Sequence, residues 1–110
     1  MCTKWFNKLS KKDIVIAGGK GASLGEMTQL GIAVPDGFVI LTNAFENFLQ
    51  ENNLAKKIDS ELEKIDVKKM ETVEKASREV QKLILSAKIP SDIQEEIKKK
   101  FAKLDTKFVA

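Results

Sequence analysis

Apolar positions along the chain change period more than once. Ile14-Val15-Ile16-Ala17 is a short run rich in β-branched residues, which predicts a strand or an extended approach. Gly18-Gly19-Lys20-Gly21 interrupts it. Leu24, Met27 and Leu30 then recur at helical spacing, and Gly31 suits the left-handed position just past a helix end. Gly37-Phe38-Val39-Ile40-Leu41 predicts a second, buried strand. Thr42 is a suitable N-cap for a helix whose apolar face is Phe45, Phe48 and Leu49, and Asn52-Asn53 ends that helix.

Beyond this point the pattern is helical. Leu54, Ile58, Leu62 and Ile65 step by about four, as do Met70, Val73, Ala76, Val80, Ile84 and Ala87 over a longer stretch. Ile89-Pro90-Ser91 punctuates the chain. Ser91 with Gln94 fits a capping box, and Pro90 as the first helical residue is the other option. Ile93, Ile97, Phe101 and Leu104 predict the inward face of the last helix, and Lys107-Phe108-Val109-Ala110 reads as the start of a strand. A chain that stops inside an apolar strand is expected to be a fragment of something longer. The fold class expected is α+β, mostly helical, with one small sheet edge and four or five helices.

Composition sharpens this picture. With 110 residues the chain is the size of one small domain. Hydrophobic residues are 43% and charged residues 32%, which suits a soluble core. The net charge of +3 is a mild excess, and Arg78 is the only arginine among the cations. Little planar, bidentate contact to bases or phosphates is available from this set, so no nucleic acid partner is expected. The absence of histidine excludes a histidine triad, a histidine metal site and a phosphohistidine within these residues. One cysteine, Cys2, excludes an internal disulfide and a cysteine zinc cluster. No apolar run approaches a bilayer span and the first residues lack the apolar core of a signal peptide. A cytoplasmic location without membrane association is the expectation.

All six glycines lie between Gly18 and Gly37, so the chemistry concentrates there. Glycines at a strand-to-helix turn let backbone approach a ligand, and the N–H groups at the start of the next helix favour an anion. Lys20 adds a point charge that follows a phosphate through small movements. Two readings stay open on spacing alone, a phosphate site and a plain glycine turn with an exposed lysine. Neither common phosphate loop fits. A P-loop needs Ser or Thr after Gly-Lys, where this chain has Gly21. The dinucleotide fingerprint needs Gly at the position of Leu24. Other features are weaker. Lys98-Lys99-Lys100 reads as a solvated helix face, and Trp5-Phe6 as core packing before a stacking platform. Asp13, Glu26 and Asp36 flank the glycines, but three scattered acids predict no metal site. Cys2, without a histidine partner, is not a nucleophile candidate.

Gly18-Gly19-Lys20-Gly21-Ala22-Ser23-Leu24-Gly25-Glu26-Met27, then Gly31, Val34-Pro35-Asp36-Gly37-Phe38-Val39-Ile40 and Thr42-Asn43-Ala44-Phe45, resemble the N-terminus of the phosphoenolpyruvate synthase and pyruvate phosphate dikinase family. The match is dense over roughly residues 5–55. Trp5-Phe6, Leu9-Ser10-Lys11 and Leu54-Ala55-Lys56-Lys57-Ile58 look most like its phosphoenolpyruvate synthase branch. The resemblance implies that residues 1–110 are the N-terminal portion of an ATP-grasp-like nucleotide-binding domain, truncated at its C-terminal end. It implies that Lys20 reaches the ATP phosphates and that Gly19 and Gly21 permit close backbone approach. No catalytic residue and no metal ligand is expected in this segment. The implied parent is a phosphotransferase that converts ATP, pyruvate and water to AMP, phosphoenolpyruvate and phosphate. It requires Mg²⁺ and works through a phosphohistidine on another domain, so its partners are ATP and the parent's remaining domains. This chain alone is then expected to be inactive. A pyruvate phosphate dikinase fragment, a rifampin phosphotransferase fragment and a non-catalytic nucleotide-binding module are the alternatives.

Overall fold

The structure is a computed structural model and describes residues 1–105. Its elements in chain order are β1 (Thr3–Trp5), α1 (Ile14–Gln29), β2 (Phe38–Ile40), α2 (Thr42–Glu51), α3 (Ala55–Glu63), α4 (Met70–Ser86) and α5 (Ser91–Ala102). Short 3-10 turns at Phe6–Lys8 and Lys11–Asp13 join β1 to α1. The fold is α+β and mostly helical, as expected. It divides into two compact units, one formed by Met1–Glu46 with the chain from Pro90 onward, the other by Asn47–Ile89.

In the first unit the two strands pair antiparallel, with Thr3 opposite Ile40, Lys4 opposite Val39 and Trp5 opposite Phe38. Side chains alternate between the two faces of such a ribbon. Thr3 and Trp5 meet α5: Glu96 accepts from the Thr3 hydroxyl, and the Lys100 ammonium lies 5.4 Å from the Trp5 ring centre. Trp5 also packs edge-on against Phe38 at 5.5 Å between ring centres. Val39 points the other way, toward α1. Cys2, Ala44 and Ile93 form a buried cluster with Ile97 against it.

In the second unit Leu54 and Ala76 are buried, while Leu62 and Met70, expected on the apolar faces of α3 and α4, are exposed. Asn52 and Asn53 end α2 as expected. Asn53 takes a left-handed φ of 53°, and the Asn52 side chain donates to the Phe48 and Lys88 carbonyls. Gly31, at φ 77°, follows the end of α1 in the same manner.

Several expectations need correction. The strand expected to be buried over Gly37–Leu41 is Phe38–Ile40 and only half-buried, with Ile40 exposed. Ile14–Ala17 is the first turn of α1, not a strand. Ser10 and Asp13 form a reciprocal capping box just before it and commit the chain to helical turns. Strand β1, which the periodicity did not indicate, takes the place of the expected strand. Thr42 is the first residue of α2, not its N-cap, and its hydroxyl donates to the Val15 carbonyl at 3.3 Å. The buried positions around the start of α2 are Leu41, Ala44 and Phe48, while Phe45 is exposed. At α5 the N-cap is Pro90, and no side-chain cap from Ser91 forms. The Lys107–Ala110 strand lies outside the described residues.

Candidate phosphate-binding segment

The glycine segment is a break inside a helix. Gly18 has φ 75° and ψ 171°, while the residues on both sides are helical. Residues with a Cβ pay about 1–2 kcal/mol for a left-handed φ, so glycine belongs there. The chain then restarts as a helix running from Gly19 to Gln29. The first backbone N–H groups of a helix lack partners in a preceding turn and carry the positive end of its dipole.

The three residues expected at this site fall into two environments. Lys20 is exposed, and its ammonium has no hydrogen bond or ion pair among the described residues. Gly19 is also exposed, and a Cβ built on it meets nothing within 4 Å. Gly21 is buried, and a Cβ there would stand 3.1 Å from both Val39 methyl carbons. Lys20 and Gly19 thus face open space, whereas Gly21 lets α1 lie close on β2. Gly25, a helical turn further along, likewise permits a close approach. A Cβ there would fall 2.5 Å from Leu9 Cβ and 2.7 Å from its carbonyl carbon. Together these contacts hold the restarted helix on the sheet and on the Leu9 segment.

Polar contacts also tie this helix to the segment before it. The Lys11 N–H donates to Glu26 Oε2 at 2.9 Å, and Gln29 Nε2 donates to the Asn7 carbonyl at 2.7 Å. Asp13 accepts from the Ser10 N–H at 2.9 Å. Asp13 and Glu26 are therefore engaged by backbone N–H groups, and no group of three metal-ligating side chains occurs among the described residues. The closest acid–hydroxyl contact is elsewhere, on α5. Glu96 accepts from the Cys2 N–H and the Thr3 hydroxyl. Burial raises its pKa, but the Thr3 and Cys2 hydrogen bonds more than offset this and leave it below the usual carboxylate value. Burial and the neighbouring Glu96 push the Cys2 thiol up, so it stays protonated and unreactive.

Sequence reasoning missed the role of Gly18, which sets the break, and that of Gly25, which sets the close approach. The signal for the first was two adjacent glycines. The second had none beyond its helical spacing from Gly21. A separate open groove of about 280 Å³ is lined by Trp5, Phe6, Thr28, Asp36, Gly37 and Lys103 among others, and does not include the glycine segment. No helix among the described residues is long and apolar enough to cross a membrane.

Residues 14–110 match the model of the pyruvate phosphate dikinase AMP/ATP-binding domain. The chain is 42% identical to a probable phosphoenolpyruvate synthase of Methanocaldococcus jannaschii, over 91% of the chain and 8% of that protein. It is 39% identical to the phosphoenolpyruvate synthase of Aquifex aeolicus, over 94% of the chain and 13% of the relative. With the Helicobacter pylori phosphoenolpyruvate synthase the identity is 37%, over 86% of the chain and 12% of the relative. The chain spans about a tenth of the length of these relatives. With the family's residues covering the helix break and all that follows it, the chain belongs to the pyruvate phosphate dikinase AMP/ATP-binding domain family.

Proposed function

We propose that this chain is the N-terminal, ATP-phosphate-binding segment of a phosphoenolpyruvate synthase. In this reading it opens an ATP-grasp-like domain of a longer cytoplasmic enzyme. That enzyme converts ATP, pyruvate and water to AMP, phosphoenolpyruvate and phosphate. The observation that carries the reading is the helix restart after Gly18, with Lys20 exposed and unpaired in its first turn. An ammonium beside the N–H groups of a helix start is complementary to a polyphosphate. The open space at Gly19 leaves room for phosphate oxygens against the backbone. The packing of Gly21 and Gly25 holds the helix axis in one direction, so the donors are positioned before the nucleotide arrives. Preorganised charge of this kind is the protein's main contribution to phosphoryl transfer. Mg²⁺ would arrive with the nucleotide, whose phosphates supply part of its ligands.

The test is Lys20→Ala in the longer enzyme. Loss of one charge facing the transferring phosphates should cost about 2–4 kcal/mol, roughly 30- to 1,000-fold in rate. The loss should fall on the ATP-dependent half-reaction and spare phosphoryl transfer to pyruvate. Near-normal ATP-dependent rates would reduce the segment to a turn. Pyrophosphate formation that depends on added phosphate would assign the parent to the dikinase branch. Phosphorylation of rifampin would assign it to the antibiotic-modifying branch.

A further inference from the structure

Asp36-Gly37 is the single place in the sequence where an aspartate or asparagine precedes a glycine. The pair lies between α1 and β2, outside any helix or strand, and lines the open groove of about 280 Å³. Asp36 is exposed, and its carboxylate has no hydrogen bond or ion pair among the described residues. The Gly37 N–H also donates to no group among the described residues. Gly37 is tied through its carbonyl instead, which accepts from the Phe6 N–H at 2.9 Å. A free carboxylate thus stands next to a free backbone nitrogen, and glycine puts no side chain in the way.

Other aspartates lack this combination. Asp13, Asp66 and Asp92 precede Ile14, Val67 and Ile93, whose branched side chains crowd the backbone nitrogen. Asp13 also accepts from the Ser10 N–H, and Asp66 from the Lys68 N–H. Asp59-Ser60 has a small second residue but lies inside α3, where N–H groups are committed to the helical ladder.

We infer that Asp36-Gly37 is a site of spontaneous isomerisation in the folded chain, from aspartyl to isoaspartyl through a cyclic imide. The Gly37 nitrogen loses its proton and bonds to Asp36 Cγ. One carboxylate oxygen leaves as water, carrying that proton and one taken from solvent. Water from the open groove then cleaves either bond from the imide nitrogen to a carbonyl carbon. Cleavage at Cγ restores aspartate, and cleavage at the main-chain carbonyl carbon leaves isoaspartate, so mass is unchanged overall. Isoaspartate adds one carbon to the main chain just before Gly37. The Gly37 α-carbon lies against the Phe6 ring, since a Cβ there would fall 2.5 Å from Phe6 Cε2. The product therefore disturbs the Phe6–Gly37 contact at the start of the strand pairing. The inference uses neither Lys20 nor nucleotide.

Incubating the 110-residue chain in warm, neutral buffer tests it, with helical folding verified by far-UV circular dichroism. Peptide mapping with a protease that cleaves before aspartate and not before isoaspartate reads the product. Because an exposed loop opens at little cost, Asp36 should convert within about tenfold of its rate in guanidinium chloride. Asp59 should stay intact in the folded chain. A reaction that required global unfolding would be slower by the folded-to-unfolded ratio, about 10³-fold or more. A folded-state rate reduced by that factor would overturn the proposal. So would equal conversion at Asp59-Ser60, which would place the reaction in an unfolded chain rather than in the loop.

Discussion

Three nearby glycines serve three different purposes. Gly18 supplies a left-handed φ, Gly19 leaves space, and Gly25 admits Leu9. Substitution separates these roles. Gly19→Ala introduces a methyl into open space at a φ that is not left-handed. Alanine's better helix propensity then makes the folded state unchanged or more stable by up to about 1 kcal/mol. The same methyl should obstruct phosphate approach and weaken ATP use in the longer enzyme. Gly25→Ala drives a methyl into Leu9 Cβ and backbone, and overpacking of this kind costs about 1–3 kcal/mol. Urea denaturation of both variants checks the pair. Equal destabilisation would mean that the open space at Gly19 is filled in solution.

Among the elements, β1 and α5 are joined by the Glu96 carboxylate, which gathers the Cys2 N–H and the Thr3 hydroxyl. The N-terminal ammonium also favours the ionised form. Because the folded pKa is lowered, the stabilisation is complete above the ordinary glutamate pKa. It is lost as pH falls through the depressed folded value. Glu96→Gln should therefore lower stability at pH 7 by about 1–2 kcal/mol, the range of a charged hydrogen bond in a half-buried position. It should also flatten the acid limb of the stability curve. An unchanged acid limb in thermal unfolding against pH would show that Glu96 does not make this link. Nothing in the sequence marks the contact, since it joins residues more than 90 positions apart. Elements with a strong helical period are legible: α3, α4 and α5 lie where their periods place them, although Leu62, Met70 and Phe101 of the expected inward faces are exposed, and Asn53 and Gly31 end helices as expected. Ile14–Ala17 misleads because β-branched residues favour strands only when their surroundings agree. Here a Ser10–Asp13 capping box imposes a helix and leaves Ile14 and Val15 exposed. The site is only partly legible. Lys20 and Gly19 face solvent as a phosphate contact requires, but the sequence does not distinguish the break at Gly18 from a strand-to-helix turn.

At the scale of the whole molecule, the glycine segment belongs to the unit built from Met1–Glu46 and the chain from Pro90 onward. Lys20 and a helix start offer charge and backbone N–H groups, which do not distinguish adenine from guanine. An exposed contact of this kind contributes only about 0.3–1 kcal/mol and is screened by salt. The 110-residue chain should accordingly bind polyphosphates weakly and without base preference. Titrating it with ATP, GTP and pyrophosphate at low ionic strength, followed by backbone amide shifts, tests the central claim most directly. The expected perturbations are confined to about Gly18–Leu24, similar for all three ligands, and abolished by Lys20→Ala. Perturbations centred on the Trp5–Phe6–Asp36 groove, or none at Gly18–Leu24 at millimolar ligand, would contradict the claim that the helix break is where phosphate binds.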